Sequence, residues 1–237
     1  MEEDNIYKIQ YEFRFINGES KKFELKIDEK LLTLVNNKQL KKPKWTELSY
    51  EQCSCCPLNK KEYLYCPTAL NILGLVEEFK NMYSYERCLV YCTTVERTYM
   101  KETSIQEGLF SVFGLVMATS ACPIMKLFRP MARFHLPFSS LEETVVRSTS
   151  MYLLRQYFGY KKGEKPDLAL KGLNEHYKKV QDVNEGILRR INSLDLKDAE
   201  KNAIIILNSF AQILPIEIEE KLESLEYLFT SVSRYEK

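Results

Sequence analysis

No glycine-rich phosphate loop, H-E-x-x-H helix, G-x-S-x-G elbow or kinase signature occurs in the 237 residues. The nearest approach to a phosphate loop, Gly108 to Gly114, is not followed by Lys-Ser or Lys-Thr. An enzyme of a familiar motif class is therefore disfavoured. Charge of one sign is also missing: 34 Lys and Arg stand against 33 Asp and Glu, for a formal net charge of +1. That balance weighs against nucleic acid or acidic lipid as the main partner. It leaves an unidentified protein partner open. The start, Met-Glu-Glu-Asp-Asn, is acidic where a secretory signal needs a basic segment and then an apolar run. A cytoplasmic setting is expected from this. There is no internal repeat and no low-complexity tract.

Long apolar runs are scarce too. Gly108 to Met125 carries no charge over 18 positions, near the minimum for a membrane span. Ser111, Gly114, Thr119, Ser120 and Pro123 interrupt it, so the expectation is a buried core helix and no membrane crossing. With 45% apolar and 28% charged residues, the chain has the composition of an ordinary packed protein.

The N-terminal pattern is that of β structure. From Ile6 to Phe15, Tyr7, Ile9, Tyr11, Phe13 and Phe15 fall on one side of a strand. Asn17-Gly18 is a hairpin-turn signal, and Phe23, Leu25 and Ile27 alternate after it. Trp45 to Tyr50 reads as a further strand. Pro67 to Lys80 reads as a helix with proline in its first turn. Arg87 to Val95 and Arg97 to Thr103 read as a second hairpin. The basic loop Asn36 to Trp45 reads as a solvated linker rather than a phosphate site.

From Ser104 onward the period is helical. Ser104 with Glu107, and Ser140 with Glu143, match the capping box. Helices are expected over Ser140 to Phe158, Leu170 to Ile191, Leu196 to Leu214 and Glu217 to Phe229, with Pro215 dividing the last two. The fold class is therefore α+β: an N-terminal antiparallel sheet with a hairpin, then a mostly helical C-terminal part. The division falls as 1–103, carrying the cysteine loop, and 104–237, packed on it as a second part or as one continuous domain.

Seven cysteines supply the chemistry. Cys53 and Cys56 form a C-x-x-C pair, and Cys66 follows ten residues after Cys56. Two thiolates so spaced converge on one metal, and a third nearby cysteine extends the set. Cys122, followed by proline like Cys56 and Cys66, is the preferred fourth ligand, with His135 as the alternative. Zinc and an iron–sulfur cluster both suit four thiolates. The function expected from this set is a metal-binding regulatory or interaction module. An iron–sulfur redox or sensor protein is one alternative. An enzyme with a reactive cysteine, Cys55 or Cys122 beside His135 as base, is the other. Cys88 and Cys92 share one strand face and read as packing residues. His176 lies in a charged helix and reads as solvated. Arg129 and Arg133 form a candidate anion site, weighed against pairing with Glu142 and Glu143.

The motifs Gln52-Cys53-x-x-Cys56-Pro57-Leu58, Cys66-Pro67-Thr68-Ala69-Leu70-Asn71, Ala118-Thr119-Ser120-Ala121-Cys122-Pro123 and Arg129-Pro130-Met131-Ala132-Arg133-Phe134-His135-Leu136-Pro137-Phe138 resemble those of a family of uncharacterised bacterial proteins. The resemblance runs along most of the chain. It implies a bacterial, cytoplasmic protein in which Cys53, Cys56, Cys66 and Cys122 belong to the family pattern. Cys55, Cys88 and Cys92 then look like additions. It carries no activity to transfer.

Overall fold

A computed structural model describes residues 5–35, 41–194 and 197–230. The chain is α+β. β1 (Ile6–Phe15) and β2 (Ser20–Asp28) form the hairpin, closed by a turn in which Gly18 takes φ +86°. A side chain there would enter the left-handed region that glycine tolerates. β3 (Arg87–Thr93) and β4 (Thr98–Ser104) form a second hairpin. The four strands lie in the order β2-β1-β3-β4, every neighbour antiparallel. Tyr11 pairs with Phe23 on one side and Cys92 on the other.

Because strand side chains alternate, one face of this sheet is apolar and the other polar. Tyr7, Ile9, Tyr11 and Phe13 of β1 are buried together with Val90 and Cys92 of β3. Glu12 and Arg14 pair on the opposite face, 2.8 Å apart. Two helices cover the apolar face. α1 (Pro67–Phe79) brings Phe79 edge-on to Phe13 and stacked on Phe23. α2 (Ile105–Ala118) touches the sheet at Gly108, where a Cβ would stand 2.5 Å from Phe13 Cε1. The core helix expected in the charge-free run is α2, and it ends at Ala118. Among the described residues, no helix is long and apolar enough to cross a membrane.

The rest of the chain is helical: α3 (Arg129–Arg133), α4 (Leu141–Tyr160), α5 (Lys171–Asn192), α6 (Ala199–Lys221) and α7 (Tyr227–Thr230). One apolar cluster runs from the sheet through α2 to α5 and α6. The cap of α4 is the capping box anticipated: Glu143 N–H donates to Ser140 Oγ, and Ser140 N–H to Glu143 Oε2.

Three local expectations change, each for a visible reason. Trp45 to Tyr50 is no strand; a 3-10 turn spans Lys44–Thr46, followed by a single bridge from Glu47 to Tyr65. Arg190 of α5, 1% exposed, donates to the carbonyls of Trp45 (2.6 Å) and Glu47 (2.7 Å), which a strand would have offered to a neighbour. Ser104 precedes α2 without a side-chain cap, because Glu107 accepts from the Thr103 hydroxyl instead. Pro215 lies inside α6 rather than ending a helix. A helical proline strands the carbonyl four residues earlier. Here that carbonyl, Ala211 O, accepts from Gln181 Nε2 of α5 at 2.9 Å. Within the basic loop, residues 36–40 lie outside the described residues, as does Leu196, where the penultimate helix was expected to begin.

A candidate ligand pocket and the fate of the cysteines

The C-x-x-C segment docks on α5. Cys56 N–H donates to Cys53 O, closing the turn. Cys55 Sγ donates to Lys179 O and Ser54 Oγ to Asp182 Oδ2. Cys53 Sγ sits where a Cβ on Gly186 of α5 would stand 2.6 Å away, so the close approach needs glycine. Cys66 precedes α1 and Cys122 follows α2. Thr68 and Ser120, one on each side, share a hydrogen bond at 3.2 Å.

These thiols are near enough to act on one another electrically, and burial favours the protonated form of Cys53, Cys55 and Cys122. Burial pushes Cys53 up to about 12, and Cys66, Cys55, Cys56 and Cys122 add to the effect. Burial likewise raises Cys55 to about 11, helped by Asp182, and raises Cys122. Among the described residues, no group of three or more His, Cys, Asp or Glu side chains is arranged to hold a metal ion. This overturns the metal-binding regulatory module expected from Cys53, Cys56, Cys66 and Cys122, in both its zinc and its iron–sulfur forms. The physical reason is that cysteine also serves as a small apolar packing residue, and here the loop is spent on contacts with α5. The reactive-cysteine alternative falls with it, since a thiol held protonated is a poor nucleophile. Cys88 and Cys92 lie on the buried face of β3.

The arginines proposed for anions are engaged elsewhere. Arg129 donates to the carbonyls of Leu31 and Ser120, at 3.1 Å each. The Arg133 guanidinium lies 4.0 Å over the Tyr7 ring. Neither forms an ion pair with a carboxylate among the described residues. Glu143 is occupied by the cap of α4. His176 is half-buried rather than solvated, its ring edge-on to Phe128.

His135 belongs to a different feature. A pocket of about 160 Å³ opens between α2, the segment around α3, α4, α5 and α6. Its wall is mostly apolar: Phe110, Leu115 and Met117 from α2, Met131 from α3, Val180 from α5 and Leu214 from α6. An apolar cavity of roughly 150 Å³ takes up a molecule the size of benzene. Polar side chains interrupt the wall, His135, Arg147 and Asn184 among them, beside the hydroxyls of Ser111, Ser139, Thr144 and Tyr177.

His135, Arg147 and Asn184 are each held differently. His135 Nε2 and the Tyr11 hydroxyl share a 2.5 Å contact. Burial, then the charge of Arg147, lowers His135 to about 3, so the ring is neutral at physiological pH. Burial raises Tyr11 well above its ordinary value, so it remains a phenol. Arg147 Nη2 donates to Met131 O (3.1 Å) and Phe134 O (2.9 Å), fixing α3 and the strand of chain after it to α4. Asn184 is 3% exposed and lines the cavity; its amide atoms are not among the buried polar atoms left without a partner. An amide in the cavity wall is placed to meet a molecule inside it.

Arg147 and Asn184 were missed in the sequence. Arg147 sits in an ordinary amphipathic helix, and Asn184 in a helix rich in polar residues. Only the convergence of α4 and α5 distinguishes them.

A profile described as a domain of unknown function (DUF6901) matches residues 9–230. No curated protein and no solved structure matches the chain.

Proposed function

Because the chain belongs to the DUF6901 family, whose description names no activity, we propose from its own geometry that it is a small-molecule-binding protein using the pocket at His135, Arg147 and Asn184. The carrying observation is the cavity itself, about 160 Å³ and mostly apolar, with the polar side chains of His135, Arg147 and Asn184 in its wall. A bound molecule would fill the space the side chains leave and meet their polar groups. The volume suits a single ring or a short branched chain. The neutral His135 ring offers a hydrogen-bonding edge without adding a second cation beside Arg147. The motif set around Cys53, Cys66, Cys122 and His135 supports a bacterial, cytoplasmic setting, which suits seven unpaired cysteines.

The test is thermal unfolding against benzyl alcohol, a neutral ring of suitable size with one hydroxyl. The melting temperature rises with ligand concentration as for any native-state ligand. Ala132→Leu, which puts bulk into the pocket from α3, abolishes the rise while the protein still unfolds cooperatively. An unchanged melting temperature for the wild type at millimolar benzyl alcohol, and with phenol and indole in its place, contradicts the reading.

A further inference from the structure

The polar groups of the pocket differ in charge, and that difference selects among ligands. Arg147 lines the pocket from α4 and holds two backbone carbonyls through Nη2 alone. Among the described residues, no carboxylate forms an ion pair with it. Glu143, the acidic residue one helical turn earlier, is tied by Oε2 to the Ser140 N–H. The nearby Glu143 carboxylate offsets part of the cost of withdrawing this guanidinium from water, but it forms no ion pair with it, so room for a closer counter-charge is left. Carbonyl oxygens relieve that cost only in part, because they carry no net charge.

We infer that the pocket takes a small organic acid, with its carboxylate on Arg147 and an apolar body about one ring in size among Phe110, Met117, Met131 and Leu214. The inference rests on the ligand-binding reading above and names the chemical class of the ligand. A carboxylate matches the fork of guanidinium donors. Asn184 supplies an amide for a second polar substituent or for the acid itself. Inorganic anions fit poorly, since the apolar remainder of the wall would be left unfilled. Burial lowers the pKa of Arg147 and Glu143 partly opposes it, and the guanidinium stays charged at neutral pH.

The experiment is calorimetric titration of the full chain at pH 7.5 with benzoate, benzyl alcohol and acetate. The wild type binds benzoate at least about tenfold tighter than benzyl alcohol, the scale set by one charge-assisted hydrogen bond. Acetate binds much more weakly than benzoate, because it lacks the body. Arg147→Gln removes the preference, so that the ratio of benzoate to benzyl alcohol affinity falls to about one. Arg147→Lys keeps part of the preference. Benzyl alcohol binding as tightly as benzoate to the wild type overturns the acid assignment and leaves the ligand-binding reading intact. Acetate binding as tightly as benzoate overturns the apolar body. Binding of none of the three overturns both readings. Should Arg147→Gln fail to fold, the wild-type comparison still decides.

Discussion

His135 shows how far a residue's role depends on what surrounds it. In the sequence it stands among Phe134, Leu136 and Phe138, and it reads as a core histidine or a spare metal ligand. In the fold it is bridged to Tyr11 of β1 and set beside Arg147, neither of which is near it in the chain. Its pKa, held to about 3 by burial and then by Arg147, lies below the ordinary 6.5. The unfolded chain therefore takes up a proton that the folded chain refuses. The stability tied to neutral His135 is complete above pH 6.5 and is lost as pH falls from 6.5 towards 3. At about 1.4 kcal/mol per pH unit, the loss between pH 7.5 and 5.0 is about 2 kcal/mol. Urea unfolding of the wild type and of His135→Gln at both pH values isolates it. The wild type loses about 2 kcal/mol more than the variant; equal losses would show that the ring is not buried neutral. The cysteines make the complementary point. C-x-x-C spacing is a strong local cue, but spacing does not report whether the thiols are kept protonated by burial, and here Cys53 and Cys55 are.

At the scale of elements, the strands were the most legible part. Alternation in Ile6 to Phe15 and the Asn17-Gly18 turn give β1, β2 and their hairpin directly. The Ser140–Glu143 box likewise marks the start of α4. Elements were misread where a remote side chain satisfies the backbone. Arg190 takes the carbonyls of Trp45 and Glu47, and Gln181 takes the carbonyl that Pro215 strands. Neither arrangement leaves a local trace. The second gives a double-mutant test. Gln181→Ala leaves Ala211 O without its donor and destabilises the protein by about 1–3 kcal/mol. In a Pro215→Ala background the new N–H reaches Ala211 O from within α6, and the same substitution costs only a few tenths of a kcal/mol, about what surface changes cost. Chemical denaturation of the four proteins measures the coupling. Equal costs in the two backgrounds would mean that Gln181 does not support the proline.

At the scale of the whole molecule, the α+β division was readable because the hydrophobic period changes from two to about 3.6 near Ser104. The pocket was not readable. Phe110 and Leu214 line it from helices more than a hundred positions apart, and the single apolar cluster joining sheet and helices brings them together. No short motif encodes such a meeting of α2, α4, α5 and α6. The account therefore stands on the pocket accepting a ligand at that convergence, and the methionines report on it. Met117, Met125 and Met131 line it, whereas Met82 and Met100 do not. The decisive measurement is a methyl NMR titration of methionine-labelled protein with benzyl alcohol. The account predicts that the methyl resonances of Met117, Met125 and Met131 shift along one saturating curve while those of Met82 and Met100 stay in place. Shifts spread evenly over all five, or none at saturation of the solvent with ligand, would contradict it.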